Sequence, residues 1–446
     1  MIVEWTRARR ILGLSLPIVL ILLMHNLMTL ISIAMVSHLG DAAVAGIGIA
    51  GALFSMLMAV LFGIDTGVQA LVAQRIGAGQ APLAGAVLND ALVIAVAAGL
   101  LLALVGYLTG PAVFSLVTSD REVASYGLSY LNATLPMLLF LGASFTFSAY
   151  RNGAGTPRYS LLAVTIQLPC SALLGYVLVF GAFGLPRLEA VGAGLGATLA
   201  AFVAFTVHVL LAWRIAPVPG FLCRQPSWPG IHVILRIGLP VGIQQSLVNL
   251  GTMISLAIVG QIGTSEVAAM NVVLVLLLLS ILPASGMGVA AATLVGTALG
   301  RSDPADAKRW GWEVAQLGTL GLLPLGLILL AAPRPILSLI VADPATIELA
   351  TAPLCVLALG MSIDAYGRIL GFALRGAGAT RLVTSVAFAL QWGAQLPLSW
   401  LVGVHLGFGL LGIATSRLLL FAVESTLVAL LWRDGFWIRS HLQTSS

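Results

Sequence analysis

The chain has 446 residues, 59% hydrophobic and only 8% charged, with a mean hydropathy of +1.06. Soluble domains carry about 25% charged residues, so this composition excludes a soluble enzyme, and the absence of any long hydrophilic stretch excludes a soluble domain on one anchor. The net charge of +5 does not point to nucleic acid, because basic residues of membrane proteins collect in cytoplasmic loops.

At the N-terminus, Arg7, Arg9 and Arg10 precede a long apolar run without a short core and small-residue cleavage site. The first helix is therefore expected to be retained and not cleaved as a signal peptide. A spanning helix needs about 20 mostly apolar residues. Reading between charges and Gly/Pro breaks predicts twelve, at 11–37, 46–72, 87–112, 123–150, 159–182, 191–214, 233–260, 268–298, 308–332, 347–373, 382–404 and 408–432. Of the 21 basic residues, only Arg121, Arg187 and Arg334 fall in outside segments, and Arg417 falls within the last span. The rest lie inside if both termini are cytoplasmic, as the positive-inside rule requires.

The chain matches itself at an offset of half its length. Between 16–45 and 239–268, twelve of thirty positions are identical, among them Pro17, Asn26, Thr29, Ser32 and Gly40. The same offset pairs Ser115, Leu116 and Asp120 with Ser338, Leu339 and Asp343, and Gly153-Ala-Gly with Gly376-Ala-Gly. Shared apolar composition does not keep Pro, Asn, Gly and Asp in register. An all-α membrane protein of two pseudo-symmetric six-helix lobes is expected, 1–215 and 233–446. The linker 216–232 carries Pro217, Pro219, Pro226 and Pro229, which suits a connector. An even number of spans per half gives both the same orientation, a parallel repeat suited to alternating access.

Paired motifs are spread along the whole chain: LSLP and IGLP, HLGDAAVAG and QIGTSEVAA, AQRIGAGQ and VGTALGRSD, RNGAGTPR and LRGAGATR. In order, spacing and duplication the chain resembles the multidrug and toxic compound extrusion (MATE) family. The resemblance implies a V-shaped bundle that exports amphipathic, often cationic, compounds in exchange for Na⁺ or H⁺. No cofactor, nucleic-acid partner or partner subunit is expected beyond the coupling ion and lipid.

Five acids fall within spans: Asp65, Asp90, Glu313, Asp364 and Glu424. An acid at a helix centre costs about 2.5–3.5 kcal/mol on insertion scales and should face the interior or a watery cavity. Asp90 and Glu313 sit near span starts, where hydration or helix N-terminal placement accounts for them. Glu424 follows Arg417 by seven residues and is read as structural at least as readily as functional. Asp364, in MSIDAYGRILGFALRGAGATR, resembles the family's tenth-helix Asp of the cation site. Such a carboxylate can hold Na⁺ with other oxygens or take a proton; the alternative is a salt bridge to Arg368 one turn on. Asp65 is a second cation-coupling candidate on burial alone, with hydrogen bonding as the alternative.

The family's first-helix acid is absent, its slot reading Ile31-Ser32-Ile33, and its fifth-helix acid is replaced where the chain reads Ser171 to Gly175. A seventh-helix Glu of another subfamily aligns with Val248, beside Asn249. The pairs Asn26/Asn249, Thr29/Thr252 and Ser32/Ser255 recur at i, i+3 and i+6, roughly one helix face. They are expected either to line a substrate cleft, with Gln244, Gln245, Gln391, Trp392 and Gln395, or to pack helices together.

One lysine, Lys308, excludes a P-loop. Cys170, Cys223 and Cys355 have no CxxC spacing, and His25, His38, His208, His232, His405 and His441 have no metal-ligand spacing, so an intramembrane enzyme is not expected. The rival reading is a lipid-linked glycan or metabolite flippase of the same superfamily. Such proteins line their cleft with basic residues, which here are assigned to loops. The absence of targeting signals suits a bacterial inner membrane.

Overall fold

The computed structural model describes residues 3–438, so His441 lies outside the described residues. Among those described, every regular element is helical. The first seven are α1 (Trp5–Val36), α2 (Asp41–Gly77), α3 (Ala81–Val117), α4 (Arg121–Thr134), α5 (Met137–Gly153), α6 (Arg158–Phe180) and α7 (Glu189–Leu210). The next five are α8 (Trp228–Gly260), α9 (Thr264–Gly300), α10 (Pro304–Ala331), α11 (Pro333–Ser338) and α12 (Pro344–Gly376). The last are α13 (Thr380–Leu390), α14 (Leu396–Trp400) and α15 (Gly409–Asp434).

Among the described residues, ten of these helices are long and apolar enough to cross a membrane, and α4 with α5 forms an eleventh crossing bent by 46°. The sequence predicts one continuous span there. Pro136 lacks an N–H and crowds the carbonyl four residues back, so the helix breaks at Leu135 and Pro136. The helical run 380–405 covers the predicted span 382–404 but is not among the helices that are long and apolar enough to cross a membrane. A π turn at Gln391–Gln395 joins α13 to α14 and a second, Leu401–His405, follows α14, and Gln391 and Gln395 leave the run less apolar than its neighbours.

The repeat reappears in local structure. Asp120 caps α4, its Oδ1 accepting from the N–H of Glu122 at 2.8 Å and of Val123 at 3.4 Å. Its mate Asp343 caps α12, accepting from the N–H of Thr346 at 3.0 Å and from the Thr346 hydroxyl at 2.6 Å. Each supplies an acceptor to the open N–H groups of a first helical turn. Gly155 and Gly378 follow the helix ends at φ +73° and +87°, the left-handed region that glycine enters without penalty. Gly153 lies against the backbone of Gln69 and Gly376 against that of Ala292. Gln69 and Ala292 are themselves repeat mates.

By packing, the chain forms two compact units: Leu20–Ser246, and Met1–Val19 together with Leu247–Ser446. Both divisions fall inside a helix, one in α1 and one in α8. In the first unit the fully buried Ile234 of α8 joins a core of Leu61, Val68, Leu88, Leu131 and Phe147. In the second, the fully buried Ile11 of α1 joins Leu294, Val295, Val314, Leu370 and Trp432. Ile11 and Ile234 are repeat mates, so the two leading helix halves are exchanged: each completes the core built by the other repeat's helices.

Small residues make the exchange fit. A Cβ on Gly63 of α2 would lie 2.6 Å from the Gly242 nitrogen and 2.8 Å from its Cα, and one on Gly67 would lie 3.0 Å from the Ile234 carbonyl. The facing pairs Gly63/Gly67 and Gly238/Gly242 form a small-xxx-small crossing. Its counterpart sets Gly286 of α9 against Val19 of α1, where a Cβ would come within 3.1 Å of the Val19 nitrogen.

Candidate functional site

In the second unit, α12 packs against α9, α10 and α15. Gly367 lies against Ser425 of α15, and the Ser425 hydroxyl donates to the Ile363 carbonyl at 2.6 Å. This close approach groups the ionisable side chains of the two helices. Asp364, Arg368 and Arg375 fall on one face of α12, and Arg417 and Glu424, two turns apart, on one face of α15. Arg368 grips Asp364 with two nitrogens: Nη2 donates to Oδ1 at 3.1 Å and Oδ2 at 2.9 Å, and Nε donates to Oδ2 at 3.3 Å. The carboxylate is 13% exposed and the guanidinium 32%. Glu424, Arg375 and Arg417 act electrostatically on this pair. The Arg417 guanidinium lies 5.5 Å over the Phe421 ring, and its Nε is buried without a hydrogen-bond partner among the described residues. The alternative foreseen for Asp364, an ion pair one turn along the helix, is the arrangement present, so a cation arriving at this carboxylate meets a guanidinium already there.

The first unit encloses a cavity of about 470 Å³ between α1, α2, α4, α5, α6 and α7, lined in part by His25, Thr29, Ser32, Phe62, Tyr130 and Gln167. Ser32, where the family's first-helix acid would stand, is thus a cavity wall, as is Ser171. Asn26 turns instead to its own helix, Nδ2 donating to the Leu22 carbonyl at 3.0 Å. Asp65 lies half-buried on α2, nearly one turn beyond Phe62 and between the two glycines that contact α8.

The remaining polar candidates divide between the units. Gln245 belongs to the first; Asn249, Ser255 and Trp392 belong to the second. There Gln391 reaches α8, Nε2 donating to the Val248 carbonyl at 3.2 Å beside Asn249. Trp392 stacks on Phe388 at 6.1 Å, and its indole Nε1 is buried without a partner among the described residues. Thr29 and Thr252 both return their hydroxyls to the carbonyl four residues back, at 3.2 Å and 3.0 Å.

Asp90 and Glu313 do more than tolerate a hydrated helix start. Asp90 of α3 receives the Ser227 N–H at 2.7 Å and the Ser227 hydroxyl at 3.2 Å, which fixes the start of α8. Beside it, Asn89 holds the connector through the Gly220 and Arg224 carbonyls at 3.0 Å and 3.1 Å. Glu313 of α10 is fully buried and accepts from Arg7 at the start of α1 and from Arg309 at 2.7 Å. Arg7 also reaches Asp306 at 2.8 Å and lies 3.4 Å over the Trp310 ring. Arg309 pairs with Glu4 at 2.6 Å, and that hydrogen bond holds the Glu4 carboxyl below its usual range. Asp90 and Glu313 are repeat mates, as are Arg7 and Gly230, which lies against Asp90. Each carboxylate therefore pins the leading helix that its unit borrows. The signal is present in the sequence as the shared offset.

A family model, MatE, matches residues 17–177 and 240–401, two stretches whose starts are again repeat mates. A Thermotoga maritima protein named probable multidrug resistance protein NorM is 26% identical over 436 residues, covering 96% of this chain and 93% of its own length. A Bradyrhizobium diazoefficiens protein of the same name is 29% identical over 426 residues, covering 90% and 88%. A solved structure described as the outward-facing conformation of a multidrug resistance MATE family transporter of the MOP superfamily superposes with a TM-score of 0.89. It is 18% identical and covers 98% of this chain and 97% of its own.

Proposed function

The chain belongs to the MatE family, and from that premise we propose that it is a secondary antiporter exporting amphipathic organic cations or metabolites in exchange for Na⁺ or H⁺. The observation that carries this reading is the family match repeated in both halves, in register with the internal repeat. In the proposed cycle two lobes, expected from the sequence at 1–215 and 233–446 and carrying the exchanged leading halves of α1 and α8, alternate in opening to each side. Asn249, Ser32, Ser255, Gln245 and Trp392 are the substrate-facing groups of this reading, whereas the Asn26 amide is turned to its own helix. Asp364 is the principal coupling carboxylate and Asp65 a second. The inorganic cation, Na⁺ or H⁺, competes with the Arg368 guanidinium for Asp364, so its arrival frees Arg368 and alters the charge that substrate meets. The protein acts as a monomer in a bacterial inner membrane with both termini cytoplasmic, which the distribution of basic residues supports.

The test is ethidium accumulation in bacterial cells stripped of their own exporters. Cells making the protein should hold less ethidium than vector controls, and Asp364→Asn should restore accumulation to the control level. Accumulation equal to the vector control with well-expressed wild-type protein would refute the reading. One observation favours the rival flippase reading, in which the cargo is a lipid-linked anion. Arg368, Arg375 and Arg417 lie within α12 and α15, where guanidiniums suit phosphate.

A further inference from the structure

The proposed coupling at Asp364 leaves unused an ionisable group in the first unit. His25 of α1 has Nδ1 3.0 Å from the Ile21 carbonyl oxygen. A carbonyl only accepts, so Nδ1 carries the proton and Nε2 keeps its lone pair. The ring meets Phe145 edge-on, with centroids 5.5 Å apart, and Phe145 stacks on Phe62 at 5.4 Å. All three line the cavity of the first unit, and among the described residues no carboxylate lines it. Several neighbouring hydroxyls are spent on their own helices: Thr29 on the His25 carbonyl and Thr134 on the Tyr130 and Leu131 carbonyls. Among the described lining side chains, imidazole is the type that most readily takes and releases a proton.

The repeat argues that His25 is not a packing requirement. Its mate is Val248, while the neighbouring pairs Asn26/Asn249 and Thr29/Thr252 are retained. The second half therefore builds the same helix stretch with an aliphatic residue at that place.

We infer that His25 is the proton-binding group of this cavity, and that a proton on Nε2 and an organic cation resting on the Phe62, Phe145 and Tyr130 rings exclude one another. Aromatic faces attract an organic cation. An imidazolium within contact distance of the same rings repels it, like charge against like. As the cation enters, Nε2 gives up its proton; as the cation leaves, Nε2 takes one back, one positive charge for another. A hard metal cation prefers oxygen ligands, so the ion exchanged at this imidazole is H⁺. Tyr130 of α4 is the other ionisable group in the described lining, and Asp65 of α2, Arg151 of α5 and His208 of α7 stand on the helices around it. His208, stacked on Phe147 at 5.7 Å, interacts electrostatically with His25 and with Arg151 of α5. Arg151 itself is engaged by the Ala216 carbonyl at 2.7 Å. None of these is a carboxylate within the cavity wall.

The inference rests on the antiport reading for its role in transport, but the linkage can be measured by binding alone. Ethidium binding to the purified full chain in detergent would be followed by fluorescence anisotropy from about pH 8 down to the most acid pH at which the protein stays folded. The apparent affinity should fall about tenfold per pH unit below the titration of His25 and stay flat above it, as mutual exclusion requires. His25→Gln should remove that dependence. So should His25→Val, which installs the residue that the other half carries in a folded helix. Flat wild-type binding, no ethidium binding, or dependence retained in both variants would overturn the inference. The two readings part cleanly. Ethidium export with flat binding refutes the His25 assignment alone, whereas pH-linked binding without export under any gradient upholds it and refutes the exporter reading.

Discussion

Asp364 and Arg368 show what a single pair can do inside an apolar helix. Both carboxylate oxygens are held by one guanidinium, so an incoming ion must displace a partner already in place. If the ion and Arg368 compete, Arg368→Gln should lower the concentration of coupling ion needed for half-maximal efflux, by roughly tenfold given the effect of a neighbouring guanidinium on a carboxylate. Asp364→Asn should transport under no gradient. An unchanged ion requirement in Arg368→Gln, measured in vesicles, would separate the pair from coupling. A second residue-scale expectation concerns Asp343. The Thr346 hydroxyl, together with the Thr346 and Ala345 N–H groups, holds its carboxyl below the ordinary 3.8. A lowered folded-state pKa contributes stability that is present above the unfolded value and lost as pH falls through the folded one. Asp343→Ala should therefore lower the melting temperature at neutral pH, and the difference from wild type should shrink in acid. The i, i+4 spacing makes the Asp364–Arg368 pair legible in the sequence. The role proposed for His25 is not, because a lone histidine has no pattern; the proposal comes from the cavity and the carbonyl that orients the ring.

At the scale of helices, the exchange of the two leading halves organises each unit. Hydropathy reads the spans well because each must satisfy its backbone internally and face lipid. It does not read which neighbours a helix chooses, since lipid tails are as apolar as the side chains that compete with them. That is why the spans are legible and the exchange is not. The break in the fourth predicted span is carried by Pro136, a signal in plain view that a hydropathy window averages away. The pins predict unequal effects. Glu313→Ala leaves Arg7 without its buried partner and should cost about 3–5 kcal/mol. Asp90→Ala removes a helix-start acceptor and should cost about 0.5–2 kcal/mol. Thermal unfolding in detergent distinguishes them, and equal losses would mean that ion pairing at Glu313 adds nothing. The glycine crossing predicts a sharper contrast. Gly63→Ala forces a methyl onto backbone atoms of Gly242 and should abolish monodisperse protein on size exclusion. Gly321→Ala, with nothing within 4 Å of the added carbon, should be neutral or stabilising.

At the scale of the whole molecule, one offset accounts for caps, turns, glycine contacts and pins alike. Asp120 and Asp343, Gly153 and Gly376, Ile11 and Ile234, and Asp90 and Glu313 are all related by it. The fold is thus two copies of one plan, and the two groups proposed to bind the coupling ion stand where the copies diverge: His25 against Val248, and Asp364 against Leu141 on α5. The central claim, gradient-driven export, is tested most directly in proteoliposomes holding the purified protein and loaded with ethidium. Under an imposed inward H⁺ or Na⁺ gradient the wild type should expel the dye against its concentration difference, and Asp364→Asn should not. Loss of dye at the same rate with either gradient and with none, in wild type and substitution alike, would contradict the account.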